Sequence, residues 1–335
     1  MKKYLFLILM FMCILVVGCG KNNSENILKD FKDKINSLKS YQLSGKLEVV
    51  NNDDVFNYNV IVNYKDKDYY RVSLKNMANN HEQIILRNDD GVYVVTPSLN
   101  KSFKFQSDWP YNNSQAYLLK NIINDLEKDP ETKAILSDED YLITSKVHFP
   151  NNPSLISQKI TIDNGLNLKK VEVLNNDGIS LMTFTVDSIN YKPMYDESFF
   201  EINSIINQEE QKEDSSNDSK TSTIDDIIYP LYIPTGTVLT EEEKVSKTDG
   251  ERVILTFGGE KPFTLVEETT KKEDEFTIVP TYGEPYLLID TVAALSNNSI
   301  NWVSNGIEYY IVSDVLDQNE LIEVAKSVNV ISVLK

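Results

Sequence analysis

Between residues 43 and 64 the chain repeats with a period of two, and that period restricts the fold more than any single residue does. Leu43, Leu47 and Val49 alternate with Ser44, Lys46 and Glu48; Phe56, Tyr58, Val60, Val62 and Tyr64 alternate with Asn57, Asn59 and Asn63. Successive strand side chains point to opposite faces, so each run predicts a strand with one apolar and one polar face. Asp90-Gly91, Asn164-Gly165 and Asp177-Gly178 sit between β-rich runs and predict two-residue hairpins, hence an antiparallel meander.

Helical spacing interrupts this pattern. Ile27, Phe31, Ile35 and Leu38 fall at spacings of four, four and three, with Ser24 placed as an N-cap. Ala116, Leu119, Ile122, Ile123 and Leu126 mark one face of a second helix ending near Asp129-Pro130, and a shorter helix is expected around Glu131 to Leu136. Helix, strands, helices, then strands again predict an α+β fold: a curved antiparallel half-barrel sheet with helices on its concave side.

Residues 207–226 are almost free of apolar side chains and read as an acidic flexible linker. Beyond it, residues 227–335 carry hairpin signals at Asp249-Gly250 and Asn305-Gly306. A closing helix near Gln318 to Val328 has Leu321, Val324, Ala325 and Val328 on one face. This predicts a small α+β C-terminal domain in which the helix covers an antiparallel sheet.

At the other end, Lys2-Lys3 precede an apolar stretch from Tyr4 to Val17 and the run Val16-Val17-Gly18-Cys19. The stretch is about 14 residues long, short of the roughly 20 needed to span a membrane. The layout is that of a bacterial lipoprotein signal: 1–18 removed, Cys19 lipidated, 19–25 a tether, 26–206 the first domain. An uncleaved anchor and an ordinary secretory peptide are the alternatives. Diacylated Cys19, palmitate among the chains it could carry, would hold the protein on the extracytoplasmic face of the cell membrane. Cys13 lies in the removed segment, so the mature chain has no internal disulfide, thiolate metal cluster or cysteine nucleophile. Loss of Lys2 and Lys3 moves the formal charge from −18 to −20, which argues against nucleic acid and anionic lipid headgroups as bulk-charge partners.

The catalytic inventory is poor. His81 and His148 are far apart, and His81-Glu82 lacks the second histidine of a zinc-protease helix. Gly258-Gly259 is not followed by the lysine-serine or lysine-threonine pair of a phosphate loop, and Asp138-Glu139-Asp140 and Glu241-Glu242-Glu243 lack calcium-loop spacing. No enzyme, cofactor or metal is expected. The aromatics read first as a sheet core and second as a cavity able to take an acyl chain or a partner's apolar side chains.

Three segments carry a family resemblance: Tyr64 to Val72, Ile85 to Lys101, and Ile160-Thr161-Ile162-Asp163 through Leu168 to Val171, Asp177-Gly178 and Phe184. Residues 25 to 203 resemble the LolA/LolB lipoprotein-carrier superfamily. The resemblance implies an incomplete barrel with a helical lid over an apolar cavity. Candidate cavity or lid residues are then Phe31, Tyr58, Val60, Tyr70, Arg71, Tyr93, Trp109 and Phe184, with Arg71 in the place of a basic residue that governs lid closure. Cys19 and the second domain depart from a soluble carrier and resemble the sporulation and germination lipoproteins of Gram-positive bacteria, the YdcC-type and GerS-like groups. Residues Tyr229 to Val328 also look like the DUF4367-type module. The GerS-like group implies a non-catalytic protein that binds and supports a cortex-modifying amidase. The expected function is partner binding at the membrane during sporulation or germination, the alternative lipid or lipoprotein binding in the cavity. A homodimer is left open.

Overall fold

The computed structural model describes residues 24–51, 54–112, 114–210, 223–248, 250–270, 272–273, 275–289 and 291–328. The expected signal segment 1–18, Cys19, most of the expected tether and residues 211–222 of the expected acidic linker lie outside these residues. No helix among them is long and apolar enough to cross a membrane.

The chain forms two sheets with few helices. The larger has twelve strands in the spatial order β15 (Thr277–Thr281), β6 (Lys101–Phe105), β5 (Gly91–Thr96), β4 (Glu82–Asn88), β3 (Tyr69–Asn76), β2 (Asp54–Lys65), β1 (Ser40–Asn51), β11 (Ser180–Asn190), β10 (Leu168–Asn175), β9 (Leu155–Ile162), β8 (Asp140–Lys146) and β7 (Lys133–Ser137). The smaller has seven, in the order β12 (Thr237–Lys247), β13 (Gly250–Gly259), β14 (Phe263–Thr269), β19 (Ile307–Val312), β18 (Ser299–Ser304), β17 (Val292–Leu295) and β16 (Glu284–Leu287).

The alternation along β1 and β2 behaves as expected. Tyr41, Leu43, Leu47, Tyr58, Val60, Val62 and Tyr64 are buried on the concave face of the large sheet. Helices α1 (Ser24–Asn36) and α2 (Leu119–Lys128) supply Phe31, Ile35, Leu119, Ile122, Ile123 and Leu126 to the same core. Lys34 fastens α1 by donating from Nζ to the carbonyl oxygens of Gly165 (2.9 Å) and Leu166 (3.0 Å). Lys120 of α2 donates to the Ile35 carbonyl at the end of α1 at 2.8 Å, filling an acceptor that every helix C-terminus leaves open.

Curvature has a local cause. Gly45 faces the core at a register shift between β1 and β11, and a Cβ there would lie 2.4 Å from the Thr185 carbonyl oxygen and 2.7 Å from the Phe184 ring. The bulge, with Asp187 as the extra residue, bends β11, and the missing side chain at Gly45 lets Phe184 close over β1.

Several local expectations are corrected. Residues 133–137 are strand β7, because Asp138 adopts a positive φ of 56° and turns the chain into β8 with Ser137 opposite Asp140. In the Asn164-Gly165 region the Asp163 carboxylate accepts from the Asn167 N–H at 2.8 Å. The loop therefore runs over five residues, and Leu166 takes the positive φ. At Asp90-Gly91 the two-residue turn is Asp89-Asp90, and Gly91 opens the next strand opposite Asn88. At Asp177-Gly178 the strands resume only at Asn175 and Ser180, with Gly178 at φ 76°. Asn305-Gly306 is a two-residue hairpin with both φ values positive.

The C-terminal unit is α+β as read. Helix α4 (Gln318–Ser327) starts in a capping box of Asp317 and Glu320 and buries Leu321, Ile322, Val324 and Ala325 against the small sheet. Its separation from the first unit is less clean than the sequence suggests. Strand β15 pairs in parallel with β6, at the edge of the large sheet. Gly45→Val should lower stability by about 1–3 kcal/mol through overpacking, read as a lowered urea midpoint with unchanged slope.

Candidate functional site

Strand alternation sorts the eight candidate residues into two groups. Phe31, Tyr58, Val60, Tyr70, Trp109 and Phe184 belong to the concave core. There Tyr41, Tyr64, Tyr70 and Trp109 form a ladder with successive ring centroids 5.0, 5.0 and 5.7 Å apart, so the interior is filled by the protein's own aromatics.

Tyr93 and Arg71 do not join them. Each is next to a core-facing residue, Val92 or Val94 and Tyr70 or Val72, so each projects from the convex face. Tyr93 packs with Ile84, Leu86, Val95, Phe200 and Ile205. Arg71 donates to the Phe199 carbonyl and Ser204 Oγ, both at 3.3 Å, and its guanidinium sits over the Phe199 ring. It fastens helix α3 (Ile202–Glu210) and the turn before it to the back of the sheet, rather than lining the cavity.

The mouth of the half-barrel is occupied by the hairpin of β16 and β17. Val292 and Ala294 are buried in the concave core and Leu287 packs against it. Gln83, buried on β4, holds the hairpin. Its Nε2 donates to the Val292 carbonyl at 3.2 Å, while its Oε1 accepts from the Val292 N–H at 2.5 Å and from Thr291 Oγ1 at 2.9 Å. The side-chain amide thus pairs with the hairpin backbone as a strand would. Tyr58 adds a hydrogen bond to the Ile289 carbonyl, and Phe56 touches the cores of both units.

A cleft of about 370 Å³ remains beside this plug. Val49, Val50, Leu181 and Met182 form one wall, Tyr286, Leu287 and Leu288 the other, with Tyr117, Phe149 and Leu155 also lining it. The polar lining includes Ser114, Gln115, Asn152 and an ion pair of Lys326 with Glu323 at 3.0 Å. The size and the mixture of apolar walls with a few polar groups suit a small apolar side-chain group or an acyl chain.

Ser114 leads from the cleft into a buried polar network. Gln158 donates to Asp125 Oδ2 at 3.3 Å and to Ser145 Oγ at 3.1 Å, and the His148 N–H donates to Ser114 Oγ at 2.7 Å. Burial pushes the Asp125 carboxyl up from 3.8 to about 6. Among the described residues no group of three or more His, Cys, Asp or Glu side chains converges as a metal site.

Gln83 was missed at the sequence level, although a glutamine at an inward position of an otherwise apolar strand is a readable signal. Cleft residues such as Leu181 and Tyr286 carry no such mark.

Gln83→Ala strands the buried N–H and C=O of Val292 and should cost about 2–4 kcal/mol, counted as two orphaned groups. Calorimetry should then show the two units melting separately, where the parent chain is expected to give a single transition. Asp125 holds its proton more tightly when folded. Its contribution to stability is therefore complete below the unfolded pKa near 3.8 and is lost as pH rises through about 6. Asp125→Asn should flatten the fall in stability between about pH 4 and pH 7 by on the order of 2 kcal/mol, measured by urea unfolding.

No family model matches the chain. It is 32% identical over 328 residues to the sporulation protein YdcC of Bacillus subtilis (strain 168), covering 97% of this chain and 96% of that one. Among solved structures, MucB is 13% identical with a TM-score of 0.35, covering 92% of this chain and 98% of its own. A LolA superfamily protein of Nitrosomonas europaea is 12% identical with a TM-score of 0.30, covering 52% and 96%. At 32% identity to that sporulation protein, sustained through both units and the segment between them, the chain belongs to the YdcC family.

Proposed function

We propose that the protein is a membrane-anchored, non-catalytic lipoprotein of the extracytoplasmic face that acts in sporulation or spore germination by binding a protein partner. Cys19 carries the lipid, and the cleft between the two units receives an apolar segment of the partner. The observation that carries this reading is the plug. A half-barrel whose interior is largely filled by its own aromatics and whose mouth is closed by its own hairpin leaves the cleft beside the plug as the place open to a ligand or partner. In this reading α1 and α2 are a lid that stays shut. Similarity to a protein named for sporulation supports the process, and similarity over both units supports their acting together. The resemblance to the GerS-like group makes a cortex-modifying amidase the first partner to test.

A second reading rests on the apolar walls of the cleft: an acyl chain or lipid held between Leu181 and Leu287. Native mass spectrometry of protein taken from membranes separates the two, since a reproducible bound lipid favours the second. Cys19→Ala should release the protein from the membrane fraction and abolish fatty-acid labelling. Leu181→Arg should leave it anchored and folded but lower capture of the amidase by about tenfold or more, the loss expected of a central apolar contact. Capture unaffected by Leu181→Arg would contradict the cleft as the binding site.

A further inference from the structure

A separate groove runs along the junction where strand β15 joins the large sheet, and it shares no residue with the cleft. It consists of two hollows, of about 600 Å³ and about 410 Å³, that have Tyr282, Ser296 and Asn297 in common. Tyr282 is 84% exposed, a large ring left uncovered on the wall shared by both halves. Around it the lining is rich in side-chain amides: Asn298 and Asn301 in one half, Gln106, Asn112 and Gln318 in the other.

The charges narrow the ligand. Glu308, Glu284 and Asp108 outnumber Lys101, which is itself paired with Glu308 at 2.9 Å, so the groove disfavours phosphates and nucleic acid. Apolar side chains, Phe103, Val279, Pro280, Ala294 and Tyr310, are concentrated in the larger hollow, and the smaller one is mainly polar, so an acyl chain would find no continuous apolar track. The Nδ2 groups of Asn112 and Asn301 are engaged by Glu284 and Glu308 and their Oδ1 atoms are buried, so the amides that face the open groove are those of Gln106, Asn297 and Asn298, all exposed. Amides and carboxylates that accept from hydroxyl groups, beside an open aromatic ring that packs on the C–H face of a sugar, are the chemistry of glycan recognition.

We propose that this groove binds an extended, uncharged oligosaccharide, with Tyr282 as the stacking platform and Gln106, Asn297 and Asn298 as hydrogen-bonding groups on either side. The site is independent of the cleft and does not rest on the partner reading.

The test is calorimetric titration of the full chain in detergent micelles with chitopentaose, and with a neutral peptide of similar length and inorganic phosphate as comparisons. Saturable binding of the sugar is expected. Tyr282→Ala should weaken it by about tenfold or more and Tyr282→Phe should preserve it, since the ring face and not the hydroxyl does the stacking. Leu181→Arg should leave sugar binding intact. Circular dichroism of the Tyr282 variants should match the parent, which is expected of an exposed side chain. No saturable heat with the sugar, equal affinity in Tyr282→Ala, or binding of the peptide in place of the sugar would overturn the proposal.

Discussion

Gln83 pairs its side-chain amide with both backbone groups of Val292, and much of the architecture depends on that contact. A buried backbone N–H and C=O must find partners. At the tip of a hairpin inserted into another unit's mouth, no neighbouring strand is there to provide them. The glutamine supplies both, which lets Val292 and Ala294 enter the concave core as apolar groups without stranding the chain that carries them. The same hairpin then forms one wall of the cleft through Tyr286, Leu287 and Leu288.

The half-barrel is shaped to receive this plug. Its bend at Gly45 brings Phe184 over the strand, and the ladder from Tyr41 to Trp109 fills the space beneath α2. Strand β15 ties the second unit to the far edge of the sheet, with Lys101 and Glu308 bridging the same junction. Attachments at the mouth and at the edge hold the second unit against the first in two places, which is why both the cleft and the amide-lined groove lie at the junction of the units. The convex face has its own closure, in which Arg71 and Asn88 bind the backbone of the segment before α3.

Local pattern made the strands around residues 40–64, both main helices and the capped C-terminal helix legible, because period and capping are properties of neighbouring residues. Ala134-Ile135-Leu136 misled, since an apolar run after a helix looks helical. In the fold Ile135 and Leu136 are 56% and 64% exposed on an edge strand that the Asp138 turn creates. Family position groups Arg71 with the cavity and aromatic character groups Tyr93 with it, although their strand parity sends both to the opposite face. The β15–β6 pairing joins residues far apart in sequence, so no local pattern announces it. The cleft is hidden for the same reason, being assembled from two units whose contact is specified mainly by Gln83, Tyr58 and Phe56.

The seating of the hairpin in the half-barrel is the claim on which the rest stands, and hydrogen exchange reads it directly. In the intact chain, the amides of Val292 to Leu295 should exchange as slowly as the core strands around Val60 and Val72, because they open only when the cores separate. Exchange of the Val292 amide within seconds, while Val60 and Val72 stay protected, would contradict it.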